Sequence, residues 1–351
     1  MTGRERICAI YEGDVPDRIG IHDSIWPSTL ERWREEGLPE GQHPLDHLGV
    51  SDIARIGGDD TFRFECVVFE EDDTSRVYLD ANGVTRRDLK IGSGWTPQWL
   101  DYTIKDRSSW EAHRDRLVYD DDRIKGALAT YQAARDAGKY LMYSGHICFH
   151  PVWHWVGQER ELLWMIESPD LLQDMFQRFV QLDIDIYEGF KAHGVVFDGV
   201  FMADDMGYKN GTMFSPSMYR DLVMPHHKDL CDHFSADGLP VTLHSDGDIR
   251  AFIPMMIEAG FTGLHPLEAK AGIHVRDIKE AYGDQLVLHG NIDVRNLAGS
   301  RADVEREIRD KVSAGKVGGG YIYHSDHSVP DDVSWDNYVY AVELLQEYGS
   351  Y

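Results

Sequence analysis

A short apolar run, residues 240–243, ends in the polar stretch His244-Ser245-Asp246-Gly247-Asp248. Such a run is typical of a buried strand, and residues two apart on a strand project to the same side. His244 and Asp246 are therefore expected to lie side by side at the strand end. An imidazole beside a carboxylate forms half of a metal site or a general acid–base pair. The same two residues could instead cap a turn, so the interpretation depends on whether the pattern recurs.

Histidines and carboxylates follow other apolar runs in the same way, and nine of the seventeen histidines fall in such places. The groups are His22 with Asp23; His146, His150, Trp153 and His154; Asp204 with Asp205; His265 with Glu268; His289; and His324, Asp326 and His327. Most have a structural alternative: aromatic packing around 146–154, a turn or helix cap at 204–205, a Glu268–Lys270 ion pair, and a turn at 289. The two imidazoles and one carboxylate at 324–327 are costly to bury without partners, which favours a function.

Alternating strand and helix patterns must position these residues. Strands are predicted at 19–23, 140–145, 199–203, 240–243, 263–265, 285–289 and 320–323, and helices at 110–137, 159–192 (broken near Pro169), 215–234, 249–258, 275–282, 302–312 and 335–348. This alternation is typical of βαβ units and a parallel sheet. About eight strands over this length favour a (β/α)8 TIM barrel, in which chemistry gathers at the C-terminal ends of the strands. We expect one barrel domain over residues 1–351, with an N-terminal extension.

Residues 60–105 do not follow this alternation of strands and helices. Phe62, Phe64 and Cys66 nearly alternate with polar residues, and Asn82-Gly83 is a strong hairpin turn sequence. The pattern predicts antiparallel β-hairpins inserted in the first third of the barrel, as a lid or rim.

The composition limits the partners and the compartment. A net charge of −26 and a pI near 4.9 disfavour nucleic acid and acidic membranes, since phosphate binding needs a basic face. The sequence has no N-terminal signal pattern and no apolar run long enough to span a membrane. The four cysteines form no CxxC pair, which is typical of reduced thiols in a cytoplasmic protein. We expect a cytoplasmic protein with a small-molecule substrate.

Several motifs, in order and spacing, resemble the uroporphyrinogen decarboxylase superfamily, which includes cobalamin-dependent methyltransferases. They are Gly13-Asp14-Val15-Pro16-Asp17-Arg18, Asp204-Asp205-Met206-Gly207, Phe214-Ser215-Pro216, Leu243-His244-Ser245-Asp246-Gly247, Gly290-Asn291-Ile292-Asp293, and His327. The resemblance covers nearly the whole chain and implies a (β/α)8 barrel, in agreement with the strand pattern.

The two branches of the superfamily imply different sites. Decarboxylases use no metal and bind a tetrapyrrole with an arginine-rich loop, whereas here Ser24-Ile25-Trp26 follows His22-Asp23. The methyltransferase branch binds zinc with His-x-Cys and a later Cys. His244 matches that histidine, while Asp246 and His327 stand at the cysteine positions. Ligands without a thiolate make a harder, more Lewis-acidic site, which favours an oxygen substrate such as a methoxy group.

The resemblance therefore predicts a methyltransferase that uses zinc, or another divalent transition metal, and moves a methyl group between a small substrate and a corrinoid carried by a partner protein. A homodimer is compatible with the family. The expected metal ligands are His244, Asp246 and His327, with Glu268 or His289 as further ligands. Proton transfer is expected from Asp205, His324 or Asp326. Substrate contacts are expected from His22, Trp26, Tyr143, His146, Phe149, His150, Trp153 and Asp204.

Two alternatives stay open at this stage. One is a metal-free decarboxylase or lyase that acts on a carboxylated substrate, with Asp205 and the histidines as acid–base groups. The other is a binding protein without catalysis, against which the clustering of ionisable groups argues.

Overall fold

The computed structural model describes residues 1–90 and 97–351. Residues 91–96, part of the insertion predicted at 60–105, lie outside the described residues. In chain order the strands are β1 (Gly20–Ile21), β2 (Ile53–Ile56), β3 (Val67–Glu71), β4 (Ser75–Leu79), β5 (Val84–Leu89), β6 (Gln98–Tyr102), β7 (Tyr140–His146), β8 (Gly199–Ala203), β9 (Gly207–Tyr208), β10 (Gly211–Thr212), β11 (Val241–His244), β12 (Gly263–His265), β13 (Val287–His289) and β14 (Tyr321–Tyr323).

The helices alternate with the barrel strands. They are α1 (Gly3–Tyr11), α2 (Pro27–Glu35), α3 (Pro44–His47), α4 (Arg107–His113), α5 (Lys125–Asp136), α6 (Phe149–Val156), α7 (Gln158–Glu167), α8 (Pro169–Ala192), α9 (Pro216–Met218), α10 (Met224–Ala236), α11 (Ile253–Ala259), α12 (Val275–Tyr282), α13 (Val294–Leu297), α14 (Arg301–Gly315) and α15 (Trp335–Tyr348). Among the described residues, no helix is both long and apolar enough to cross a membrane.

Eight parallel strands form the barrel, in the order β1-β14-β13-β12-β11-β8-β7-β2. The predicted (β/α)8 architecture is confirmed. Strands β11 and β12 pair with His244 opposite His265, and β11 pairs with β8 so that His244 lies opposite Ala203. This parallel register brings the polar residues that follow each strand to one end of the barrel, as the sequence predicts.

Side chains that point into the barrel form an apolar floor and a polar upper level. The floor contains Ile53, Tyr140, Val287 and Ile322, and it is closed from below by Ile7 and Ile10 of α1. Helix α1 of the N-terminal extension therefore closes the bottom of the barrel. Above the floor lie ring side chains that contact one another across the barrel: His22, Phe201, His244, His265, His289 and His324, with the Arg55 guanidinium over Phe201.

The barrel closes between β1 and β2 through side chains more than through main-chain pairing. Along this seam the described residues form one main-chain hydrogen bond, from Asp52 N to Ile21 O. The Asp52 carboxylate accepts from Ile21 N at 2.8 Å. It also pairs with Arg6 at 2.6 Å and with Arg18 at 2.7 Å. Arg6 in turn pairs with Asp17, so the Asp17-Arg18 dipeptide of the N-terminal motif holds the seam.

The predicted insertion is confirmed as an antiparallel sheet in the order β3-β4-β5-β6. The predicted Asn82-Gly83 turn connects β4 and β5, with Gly83 at φ +75°, a conformation that favours glycine. The sheet packs beside α6, where the Trp99 ring lies 5.2 Å from that of His154.

Two sequence predictions in the first half of the chain are wrong. The helix predicted at 110–137 is interrupted, because the buried Arg123 guanidinium binds the carbonyls of Arg116 and Val118 and holds that stretch as a loop. Strand β2 was not predicted, because it is only four residues long and Arg55 interrupts its apolar run.

Candidate active site

A cavity of about 690 Å³ opens at the C-terminal ends of the strands, within the size range of small-molecule sites. Its walls come from β2, β11, β12 and the segments that follow β1, β8, β11, β12, β13 and β14. The lining residues are Ser24, Trp26, Arg55, Asp205, His244, Asp246, His265, Pro266, Lys270, Val294, Arg295, His324, His327, Ser328 and Pro330.

Metal-binding atoms converge in this cavity. Asp205, His244 and Asp246 each direct one donor atom to a common point, with all three atoms within 4.8 Å of one another. His244 Nε2 lies 3.5 Å from Asp205 Oδ1 and 4.0 Å from Asp246 Oδ1. His327 Nε2 lies 3.8 Å from Asp246 Oδ2. Three of these residues were predicted as ligands, and Asp205, predicted as a catalytic group, joins them.

The spacing fits a divalent metal better than a hydrogen-bonded cluster. In a tetrahedral zinc site with bonds of about 2.0–2.1 Å, ligand atoms stand roughly 3.4 Å apart. The observed separations lie slightly above this value and beyond good hydrogen-bond length. Asp246 Oδ1 is buried without a hydrogen-bond partner among the described residues. Two carboxylates and one imidazole, with the His327 imidazole nearby, therefore suit a divalent cation in both charge and donor type.

Two further histidines orient these donors. His244 Nδ1 lies 2.7 Å from His265 Nδ1, so one imidazole donates to the other; the tautomer with the proton on His244 Nδ1 leaves His244 Nε2 as an electron-pair donor. His150 Nδ1 lies 2.9 Å from Asp205 Oδ2, and Asp246 N donates to Asp205 Oδ1 at 2.9 Å. Such outer contacts commonly fix metal ligands in position.

The pKa values of the two cavity carboxyl groups, Asp205 and Asp246, are shifted in opposite directions. Burial acts to raise the pKa of Asp205, but His150 and His244 overcome it and hold that pKa well below its usual range. Burial raises the pKa of Asp246, with His244 opposing and the charge of Asp205 adding to the effect. A second negative charge beside Asp205 is thus unfavourable until a cation balances it.

Four buried histidines lie beneath the donors. Their rings are in mutual contact, with His265 4.3 Å from His324 and 4.7 Å from His289, and His22 5.2 Å from His324. Burial lowers the pKa of all four, to about 3 for His324. They are therefore neutral near neutral pH. His22 and His289 belong to this layer, where neither nitrogen of His289 has a hydrogen-bond partner among the described residues.

Several sequence-predicted substrate residues lie in or beside the cavity. Trp26 lines it, with its ring 5.9 Å from that of His327. His146 pairs with Asp60 at 2.7 Å in a small side cleft that His150 also lines. The Trp153 ring packs against His150 at 5.4 Å. Phe149 is fully buried against Phe214, so it supports the rim from behind.

Four predictions need correction. Tyr143 faces outward, because Tyr140 and Met142 of the same strand point into the barrel; its hydroxyl donates to Asp183 at 2.8 Å. Asp204 is enclosed with Cys148 and His227, and His227 Nε2 lies 2.7 Å from it. Asp326 accepts from the main-chain N–H groups of Ala269, Lys270 and Val294 and thereby fixes two loops. Glu268 is held by Lys270 at 2.6 Å and by Gly247 N at 2.7 Å, so it is not directed at the donors.

Arg55 and Ser24 are among the cavity residues that sequence reasoning missed. Arg55 lies inside the unpredicted strand β2, and its Nη2 donates to Ser24 Oγ at 3.1 Å. The sequence signal for β2 is Ile53 and Ile56 on either side of a single arginine. This pattern is too short to distinguish a strand from a loop.

The family model for uroporphyrinogen decarboxylase (URO-D) matches residues 155–348, more than half of the chain. The chain belongs to the uroporphyrinogen decarboxylase family. The matched region includes Asp205, His244, Asp246 and His327, so the three converging donors and the neighbouring histidine lie within it.

Curated members of the family are similar over part of their length. Uroporphyrinogen decarboxylase of Sodalis glossinidius is 29% identical over 119 residues, which cover 33% of this chain and 32% of that protein. The Xylella fastidiosa enzyme is 24% identical over 188 residues, 51% of this chain and 50% of that protein. The chain thus matches half or less of the length of these relatives.

Solved structures confirm the fold. A methyltransferase from Methanosarcina mazei superposes with a TM-score of 0.66 and 15% identity, covering 99% of each chain. At this identity the likeness concerns the barrel architecture alone.

Proposed function

We propose that this family member is a metal-dependent methyltransferase that moves a methyl group between a small methoxylated substrate and a corrinoid carried by a partner protein. The observation that carries the proposal is the convergence of Asp205, His244 and Asp246 in the open mouth of the barrel, with His327 beside Asp246. The methyltransferase from Methanosarcina mazei shares the architecture.

The donor set determines which substrate atom suits the site. Zinc is the metal we propose, and when bound it supplies Lewis acidity toward the substrate heteroatom. Oxygen and nitrogen donors without a thiolate make a hard site, so an ether oxygen is a better partner than a thiol. His265 and His150 hold His244 and Asp205 in position, and Trp26 provides an apolar wall for the substrate.

Proton transfer is assigned to His324. His324 lines the cavity, and its Nε2 lies 3.2 Å from Ser24 Oγ. Burial lowers the pKa of this imidazole to about 3, so that its Nε2 carries a free electron pair and takes up a proton only transiently. Asp326 takes no part in this step, since its oxygens are occupied by main-chain N–H groups.

A metal-free decarboxylase is the second candidate, and the specific observation that favours it is the activity named for the curated relatives. In that case Asp205 and the neutral histidines are acid–base groups, and the four donors bind no metal. The two candidates therefore differ in a property that can be measured without knowing the substrate.

The deciding experiment is the metal content of protein purified without a metal-binding tag, measured by plasma mass spectrometry. We expect close to one zinc ion per chain in the wild type and its loss in His244→Ala. His233→Ala is the matched control, because this imidazole pairs with Glu188 on the outer surface, and it should keep the metal. The metal-loaded protein is then assayed with methoxylated compounds and a corrinoid protein.

The opposite result is also informative. Wild-type protein that holds no metal and takes up none on incubation contradicts the methyltransferase and leaves the decarboxylase. Metal that persists in His244→Ala contradicts the assigned ligand set.

A further inference from the structure

Arg55 brings a positive charge into the mouth of the barrel. It lies in β2, points inward and lines the same cavity as the metal donors. Its guanidinium stands 4.5 Å above the Phe201 ring and donates one hydrogen bond, to Ser24 Oγ. The side chain is thus fixed at one end of the cavity by an aromatic face and a hydroxyl.

No carboxylate among the described residues forms an ion pair with Arg55. The other cations of the cavity wall are paired, Lys270 with Glu268 at 2.6 Å and Arg295 with Asp293 at 2.6 Å. The surrounding barrel wall lowers the pKa of the Arg55 guanidinium to about 10, so it remains charged. The side chain is exposed to the cavity, where its charge is accessible to a bound anion.

We propose that Arg55, with Ser24, is the subsite for a carboxylate on the substrate. A guanidinium presents a planar fork of N–H donors that matches a carboxylate in two parallel hydrogen bonds. One of these donors already reaches Ser24 Oγ, whose hydroxyl can add a further contact to the bound anion. The missing counter-ion is then supplied by the substrate itself.

The subsite and the metal donors are close enough for one small molecule to reach both. Phe201 contacts Arg55 on the one hand and stacks with the His244 ring at 5.9 Å on the other. A single phenyl ring therefore separates the Arg55 guanidinium from the His244 imidazole. This inference rests on the proposed function, and it narrows the substrate class to compact methoxylated carboxylates, such as a methoxybenzoate, that place the anion at Arg55 and the ether oxygen at His244.

Binding of matched probes tests the subsite. The probes are 4-methoxybenzoate, benzoate and the neutral 4-methoxybenzamide, measured by calorimetry with the full chain, both zinc-loaded and metal-free. We expect the two anions to bind more tightly than the amide, and Arg55→Gln to weaken anion binding about 10- to 100-fold, as for loss of a charged hydrogen bond, with little change for the amide. Arg55→Lys should recover part of the loss, because it keeps the charge without the planar fork.

Arg295→Gln is the matched control. It removes a cation from the same cavity wall, but one that already has a carboxylate partner, so anion affinity should be unchanged.

Three results would overturn the subsite: anions that bind no tighter than the amide or do not bind, equal losses in Arg55→Gln and Arg295→Gln, or anion binding that disappears in His244→Ala but persists in Arg55→Gln. The last result means that the carboxylate binds the metal. Arg55-dependent anion binding without methyl transfer retains this inference and removes the proposed function. Methyl transfer from neutral and anionic ethers alike, insensitive to Arg55→Gln, removes this inference alone.

Discussion

A contact with His265 holds the His244 ring in position. His265 Nδ1 lies 2.7 Å from His244 Nδ1, and this contact holds the His244 ring with Nε2 facing Asp205 and Asp246. His265 itself is buried and lies too far below the donors to bind with them. It is a positioning residue, whose contribution is the tautomer and the ring angle of its partner.

His265→Phe keeps the ring and removes the accepting nitrogen. We expect zinc affinity to fall about 10- to 100-fold, the usual effect of losing an outer contact to a metal ligand, while one ion per chain still binds at saturation. Competition with a chromogenic chelator measures the affinity, and the thermal unfolding midpoint of the metal-free variant controls for misfolding. Unchanged affinity, or complete loss of the site, would show that the Nδ1–Nδ1 contact has another role.

Which site residues could be predicted depends on where they lie along a strand. His244, Asp246 and His327 follow clear apolar runs, so their types and positions were sufficient to bring them together. Asp204 and Asp205 are adjacent and turn to opposite sides of the strand end, and only the register between β8 and its neighbours decides which one faces the cavity. Arg55 lies within strand β2, and a charged residue there weakens the apolar pattern by which the strand could be recognised in the sequence.

At the scale of elements, the seam between β1 and β2 is the weakest part of the described barrel in main-chain pairing, and charge pairing compensates for it. Asp52 is nearly inaccessible and receives two guanidinium groups and one main-chain N–H. The N-terminal Asp17-Arg18 motif could be recognised from the sequence, but its role could not. The partner Asp52 is distant in sequence, and nothing around it suggests a structural carboxylate.

Asp52→Ala should destabilise the fold by about 3–5 kcal/mol, the cost of leaving buried charges without their partner. Urea unfolding followed by circular dichroism measures this change. Asp336→Ala removes an exposed partner of Arg301 and should cost less than about 1 kcal/mol. Similar costs for the two variants would mean that the seam is held by other contacts.

At the scale of the whole molecule, buried carboxyl groups make stability depend on pH. Burial, against the hydrogen bond from Tyr143, raises the pKa of Asp183 from 3.8 to about 8. The folded chain therefore keeps a proton that the unfolded chain releases near pH 4. This contribution to stability is complete below pH 4, declines between about pH 4 and 8, and is absent above that window. A net charge of −26 adds repulsion in the same direction.

Between pH 5 and 8, the free energy of unfolding should fall by up to about 1.4 kcal/mol per pH unit because of this group. Asp183→Asn, which cannot ionise, should remove that part of the slope. Urea titrations at four pH values measure it, with the partly exposed Asp185→Asn on the same helix as the control. A slope that is equal in wild type and Asp183→Asn would show that the Asp183 carboxyl is already ionised in the folded chain.

The seam also changes what a ligand does to the molecule. In main-chain terms the sheet is an eight-stranded ribbon whose two ends, β1 and β2, meet at a side-chain joint. Ser24 follows the first end and Arg55 belongs to the other, and the two side chains meet above that joint. An anion bound by both residues would link the two end strands of the sheet. Its binding energy would then resist opening of the barrel itself, and occupancy of the cavity would be coupled to the stability of the whole fold.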